Sequence, residues 1–193
     1  IIDISDPSAP SLLSSFNVNS GTVRSVDVMG TTAYVAEDNS LLVLDVSDTE
    51  TPILIGSNDV PVTSEDICVV GSTVFVADYD MGILIYDVSV PEKPAFLGMY
   101  DTFGPAVSVA VSGNYAFAAC LDYGLQIRDV SEPRLAGFLG TIDLSSGNDV
   151  CVVDNTAFIA AYNGGVYIVD ITIPVAPQVL GRYNAPSLFA LSV

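Results

Sequence analysis

The stretch GILIYDVSVPEKPAFLG, residues 82–98, decides the fold, because the chain writes it more than once. LLVLDVSDTETPILIG stands at 41–56 and GLQIRDVSEPRLAGFLG at 124–140. The Asp of this phrase recurs at Asp3, Asp45, Asp87, Asp129 and Asp170, in steps of 42, 42, 42 and 41. A glycine after two apolar residues (LIG, FLG, FLG and VLG) recurs at Gly56, Gly98, Gly140 and Gly181, and an aromatic inside an apolar triplet at Tyr34, Phe75, Phe117 and Phe158. Three separate markers keep one period, which is the signature of a repeat architecture.

Each period resolves into four short strands. In the second full copy they are EDICVV (65–70), TVFVAD (73–78), ILIYDV (83–88) and AFLGMY (95–100), parted by the turn residues GS, YDMG and SVPEKP. No stretch keeps a 3.6-residue apolar period long enough for a helix, and Pro and Gly interrupt every candidate. Four strands in about 42 residues is the size of a propeller blade. Neighbouring blades cover both faces of each sheet, so apolar residues are expected at nearly every strand position.

The predicted fold class is therefore all-β: a β-propeller of four-stranded antiparallel blades, about 42 residues per repeat, with about 4.6 repeats in the chain. The repeats divide residues 1–193 into a partial blade at 1–22, complete blades at 23–62, 63–104, 105–146 and 147–185, and the first strand of a further blade at 186–193. The sequence opens in mid-repeat without Met, no leader pattern is visible, and the unpaired edges favour a segment of a larger ring over a five-bladed one.

Half of the residues are apolar, yet no apolar run nears the roughly 18–20 residues of a membrane-spanning helix. Asp and Glu number 23 against 5 Lys and Arg, a net charge of −18. Nucleic acid is a poor partner for such a chain, since its affinity comes from Lys and Arg on phosphates. Divalent cations and basic partners are electrostatically favoured. The absence of histidine removes Ser-His-Asp and Cys-His catalysis and the common zinc enzymes. Cys68, Cys120 and Cys151 are spaced for neither a metal cluster nor a disulfide framework and read as small buried hydrophobes.

LLVLDVS, GILIYDVS, GLQIRDVS and GVYIVDIT, each followed by Pro and then by a glycine after two apolar residues, resemble the LVIVD repeat, as does SVAVSGNYAFAAC at 108–120. A WD40 reading lacks any Trp, and a kelch reading lacks paired glycines. The resemblance spans nearly the whole chain. It implies a propeller-type repeat of bacteria and archaea, often in cell-surface or exported proteins, with no catalytic motif to carry over.

Position by position, the repeat separates shared residues from private ones. Asp3, Asp45, Asp87, Asp129 and Asp170 precede a Pro-bearing turn in every copy and read as structural turn residues. Asp66 and Asp149 share a column with Ser25 and Ser108 on the innermost strand. With Glu65 and Asp78 they are the ligand or cation candidates of an acid-rich channel mouth. Asp78 and Asp80, within DYDMG, are weak calcium candidates, because Asp80 and Gly82 recur elsewhere as hairpin residues. No cofactor is expected beyond a possible calcium ion, and no catalytic residue is assigned.

These observations predict a non-enzymatic extracellular or cell-surface module acting as a scaffold or as a protein or glycan interaction domain, possibly self-assembling or joined to further domains. The alternatives are a carboxylate-based propeller hydrolase using Asp66 with Asp149 or Glu65, and a calcium-stabilised binding module.

Overall fold

Short runs rich in Val, Ile, Leu and aromatic residues, cut by Gly and Asp-bearing turns, leave the backbone little choice but paired strands. The computed structural model describes residues 1–18, 21–59, 63–135, 137–144, 146–184 and 190–193. Its described residues form 18 strands and no helix, so no helix is long and apolar enough to cross a membrane.

A two-stranded sheet comes first, β1 (Ile2–Asp3) with β2 (Ser11–Leu12). Four antiparallel four-stranded sheets follow, each a meander in chain order. The first is β3 (Val23–Met29), β4 (Thr32–Glu37), β5 (Ser40–Asp45) and β6 (Ile53–Asp59). The second is β7 (Ser64–Val70), β8 (Thr73–Asp78), β9 (Gly82–Asp87) and β10 (Ala95–Tyr100). The third is β11 (Ala106–Ser112), β12 (Tyr115–Cys120), β13 (Gly124–Asp129) and β14 (Gly137–Ile142). The fourth is β15 (Asp149–Val153), β16 (Thr156–Ala160), β17 (Val166–Asp170) and β18 (Gln178–Tyr183). These are the blades that the repeat predicted, and their first strands, β3, β7, β11 and β15, lie side by side. Of the strand read at 186–193, residues 186–189 lie outside the described residues, while Ala190 bridges Tyr162.

Blades stack face to face, and the second and third are covered on both faces. Tyr34, Ala36 and Val43 of the first blade pack with Val74, Val76, Leu84 and Tyr86 of the second. Phe75, Ile83 and Ile85, on the other side of the second blade, pack with Val109, Ala116 and Ala118 of the third. Phe117, Leu125 and Ile127 then meet Ile159 and Val169 of the fourth. Burying a side chain such as Phe117 contributes about 1.5–3 kcal/mol, so the stack is held mainly by these interfaces.

Two recurring irregularities explain the sequence markers. The register of β5–β6, β9–β10, β13–β14 and β17–β18 shifts at the residue before Gly56, Gly98, Gly140 and Gly181. A side chain at Gly56 would collide with the Pro91 carbonyl at 2.2 Å, and one at Gly140 with the Pro174 carbonyl at 2.5 Å. The glycine thus lets the next blade's proline turn sit against the bulge; Gly98 and Gly181 are less tightly covered. A second bulge, in β3, β7 and β11, immediately precedes Ser25, Asp66 and Ser108 and sets their direction.

Candidate functional site

The column Ser25, Asp66, Ser108, Asp149 runs across the four first strands and forms one hydrogen-bonded chain. Asp66 Oδ1 accepts Ser25 Oγ–H at 2.8 Å and the Ile67 amide at 2.8 Å. Its Oδ2 accepts Ser108 Oγ–H at 2.9 Å and the Val109 amide at 3.0 Å. Asp149 repeats the arrangement: Oδ1 faces Ser108 Oγ at 2.7 Å and the Val150 amide at 2.9 Å, and Oδ2 accepts Ser192 Oγ–H at 2.7 Å and the Val193 amide at 2.9 Å. Ser108 carries one proton between two carboxylates and also faces the Val150 amide at 3.3 Å. Each carboxylate therefore faces four donor groups, the Ser108 hydroxyl being shared by the two, drawn from its own strand and both neighbouring positions. Asp27 adds a parallel link two residues on, accepting the Val28 and Val69 amides at 2.8 and 2.7 Å.

The other mouth candidates are placed differently. Glu65 is the bulged residue beside Asp66 and lies 3.8 Å from the Arg24 guanidinium, which bonds Asp38 at 3.0 Å. Asp78 is fully buried at the end of β8 rather than lining an open mouth. Its Oδ1 accepts the Asp80 and Met81 amides at 3.0 and 2.9 Å, while Oδ2 and the Oγ of its cross-strand partner Ser64 are buried without a hydrogen-bond partner. Burial pushes the Asp78 carboxyl above the ordinary carboxylate range. Asp80 is exposed, and among the described residues no three Cys, Asp or Glu side chains converge as a metal set.

Burial also raises the thiols of Cys68, to about 11, and Cys120, to about 12, and all three cysteines are free. Such thiols are poor nucleophiles at neutral pH. The five turn aspartates accept the amide two residues on: Asp3 from Ser5, Asp45 from Ser47, Asp87 from Ser89, Asp129 from Ser131 and Asp170 from Thr172, all at 2.8–2.9 Å.

Two further residues, Gln126 and Arg128, set the third blade apart. Where the second blade has Leu84 and Tyr86, β13 carries this polar pair. Gln126 is fully buried; its Nε2 donates to the Phe103 carbonyl at 2.8 Å and its Oε1 accepts the Phe103 amide at 3.1 Å. Arg128 donates to the Asp101 carbonyl and lies over the Phe138 ring, 5.1 Å from its centroid. Sequence reasoning passed over both, although each is a polar outlier in an otherwise apolar column.

The LVIVD repeat matches residues 1–18, 20–60, 63–102, 103–142 and 146–185. No curated protein matches the sequence. Among solved structures, the computationally designed Ika4 protein superposes with a TM-score of 0.67 at 14% identity, covering 82% of this chain and 97% of its own. The computationally designed Ika8 protein gives 0.72 at 14% identity over 91% of this chain, which spans about half, 54%, of Ika8. At that identity the likenesses concern the fold. With five repeat matches covering nearly its whole length, the chain belongs to the LVIVD-repeat family and folds as a β-propeller module.

Proposed function

We propose that the chain is a non-enzymatic cell-surface propeller module, serving as a structural scaffold or as an interaction domain for proteins or glycans. The observation that carries this reading is the use of Asp66 and Asp149: four donors surround each carboxylate and tie successive first strands together. A carboxylate held this way supports a stapling role in place of the acid and base pair of a hydrolase. The exposed carboxylates Asp59, Asp80, Asp101, Asp122 and Asp143 add a field of one sign that steers a cationic partner. The surface address rests on the usual setting of the LVIVD family.

Sedimentation of the purified protein across a concentration series, with a glycan array and pull-downs against envelope fractions, tests the reading. Self-association or saturable binding is the expected outcome; a monomer that binds nothing overturns it. Melting with and without a chelator tests calcium: an unchanged melting temperature removes the calcium-stabilised alternative. Turnover of a glycan library that is lost in Asp66→Asn or Asp149→Asn would restore the hydrolase.

A further inference from the structure

Between the first and second four-stranded blades lies a cavity of about 280 Å³, lined by Asp59 from one blade and Met81, Leu84, Tyr86, Phe96 and Met99 from the next. Tyr86 and Phe96 form an aromatic wall, edge to face at 5.5 Å. One period of 42 residues onward, the same positions are Asp101, Tyr123, Gln126, Arg128, Phe138 and Thr141. These are the residues around Phe103. Gln126 clamps its backbone, Phe138 meets its ring edge-on at 5.8 Å, and Tyr123 lies so close to Gly104 that a Cβ there would sit 2.4 Å from the ring.

In the groove between the second and third blades, then, the equivalent position carries an aromatic side chain of the protein itself, Phe103, which is 57% exposed and rests edge-on against Phe138. In the preceding groove the residue 42 before Phe103 is Pro61, outside the described residues, and no proline supplies an aromatic ring. Leu84 stands at the position of Gln126 and keeps this lining apolar. The lining keeps the aromatic and thioether character suited to a ring, since methionine sulfur packs favourably against aromatic edges. Exposed Asp59 stands beside it, in a chain of net charge −18.

We propose that the groove between the first and second blades binds an aromatic side chain of a partner protein, presented on a positively charged segment. The seat of Phe103 one repeat later specifies the ring, and the carboxylate field specifies the charge. This inference rests on the interaction reading above and names the class of partner for it.

The three methionines supply the test: Met81 and Met99 line the groove, whereas Met29 lies in β3 outside it. Protein carrying ¹³C-methyl methionine is titrated with phenethylammonium, and in parallel with neutral 2-phenylethanol. The expected result is a saturable shift of the Met81 and Met99 methyl signals with Met29 unmoved, and weaker binding of the neutral probe. Phe96→Ala, at a half-exposed position, keeps the fold and weakens binding roughly two- to tenfold by removing the edge-on ring. Silence at Met81 and Met99, or equal movement of Met29, overturns the site. Equal affinity for the neutral probe overturns the cationic partner. A partner of the intact protein whose binding survives Phe96→Ala overturns the site while leaving the interaction reading in place.

Discussion

Asp66 accepts the Ser108 hydroxyl at 2.9 Å and the Val109 amide at 3.0 Å, although 42 residues separate Asp66 from Ser108. The same carboxylate holds Ser25 and Ile67 with its other oxygen, so one side chain joins three blades. Its replacement by Asn is informative because the two oxygens face donors only. The new amide NH₂ would point at two donors, and half of the acceptor capacity disappears. We expect Asp66→Asn to cost about 2–4 kcal/mol, close to the cost of Asp66→Ala, from the loss of charge-assisted bonds and the exposure of donors to a mismatch. Chemical denaturation of both variants checks this. An Asn variant as stable as the parent would show that the chain of bonds does not hold the blades.

Asp78 carries the opposite expectation. Its buried Oδ2 and Ser64 Oγ lack partners, and burial raises its carboxyl above the ordinary value of 3.8. A carboxyl whose folded value is raised costs stability where it must ionise, above that value, and the cost fades as the pH falls toward 3.8. Asp78→Asn keeps an oxygen for the Asp80 and Met81 amides and offers an N–H to Ser64. It should stabilise the protein by about 1–2 kcal/mol at pH 7, with the gain disappearing in acid. Melting curves of the two proteins at pH 7 and below pH 4 decide it; a gain that persists unchanged in acid, or a loss at pH 7, contradicts the account.

The turn aspartates should contribute to the acid response of the fold. Hydrogen bonds from Ser5, Ser47 and Ser89 backbone amides hold Asp3, Asp45 and Asp87 below the ordinary range, and those from the Ser131 and Thr172 hydroxyls do the same for Asp129 and Asp170. A carboxylate with a lowered folded value stabilises the protein above its ordinary value, and that contribution is lost as the pH falls through the folded one. Stability should decline below about pH 4, in a transition shared by all five turns. Replacing Asp129 and Asp170 together by Asn should flatten that decline, which a series of urea midpoints against pH would detect. An unaltered slope would mean that these turns do not carry the acid response.

In the second, third and fourth blades, glycine at the hairpin between second and third strands is a steric requirement, whereas the shorter hairpin of the first blade carries Ser40 there. Gly82, Gly124 and Gly165 have φ of +81°, +70° and +75°, and a Cβ on each would meet the Tyr100, Ile142 or Tyr183 carbonyl at 2.1–2.3 Å. Gly113 has φ of +57° and open space around it. Gly113→Ala should therefore cost about 1 kcal/mol for backbone conformation alone. Gly124→Ala adds a backbone clash that the neighbouring strand must relieve, so its loss should be clearly larger. Equal midpoints for the two variants would refute the distinction.

The repeat made the blades, their strand order and the turn aspartates legible, because each is written locally and at least four times. Boundaries differ by a residue: β7 begins at Ser64 instead of Glu65, and β9 at Gly82 instead of Ile83. Such ends depend on a single hydrogen bond. The site was less legible for a physical reason. Asp66 and Asp149 are visible as a column shared with serines, but half of what they bond to lies one repeat away, and for Asp66 it depends on a bulge that tilts the strand. Asp78 reads as a surface carboxylate beside a hairpin; only the packing of the neighbouring blade makes it buried. Gln126 and Arg128 were visible as exceptions, yet their meaning appears only when the Phe103 loop is seen folded back across the blade.

That loop gives the last prediction. Gln126 makes two hydrogen bonds to the backbone of Phe103 in the manner of a strand partner, although it is a side chain. Leu84 shows that leucine fits the same column, so Gln126→Leu should leave the blade folded and remove the clamp without a cavity. The Phe103 amide and carbonyl then need water, which draws the loop outward and takes the ring off Phe138. We expect at least tenfold faster hydrogen exchange of the Phe103 amide, about 1.4 kcal/mol of lost local protection, with strand amides of the third blade little changed. If Phe103 exchanges in Gln126→Leu as slowly as in the parent, the ring stacking on Phe138 holds the loop and the amide clamp does not.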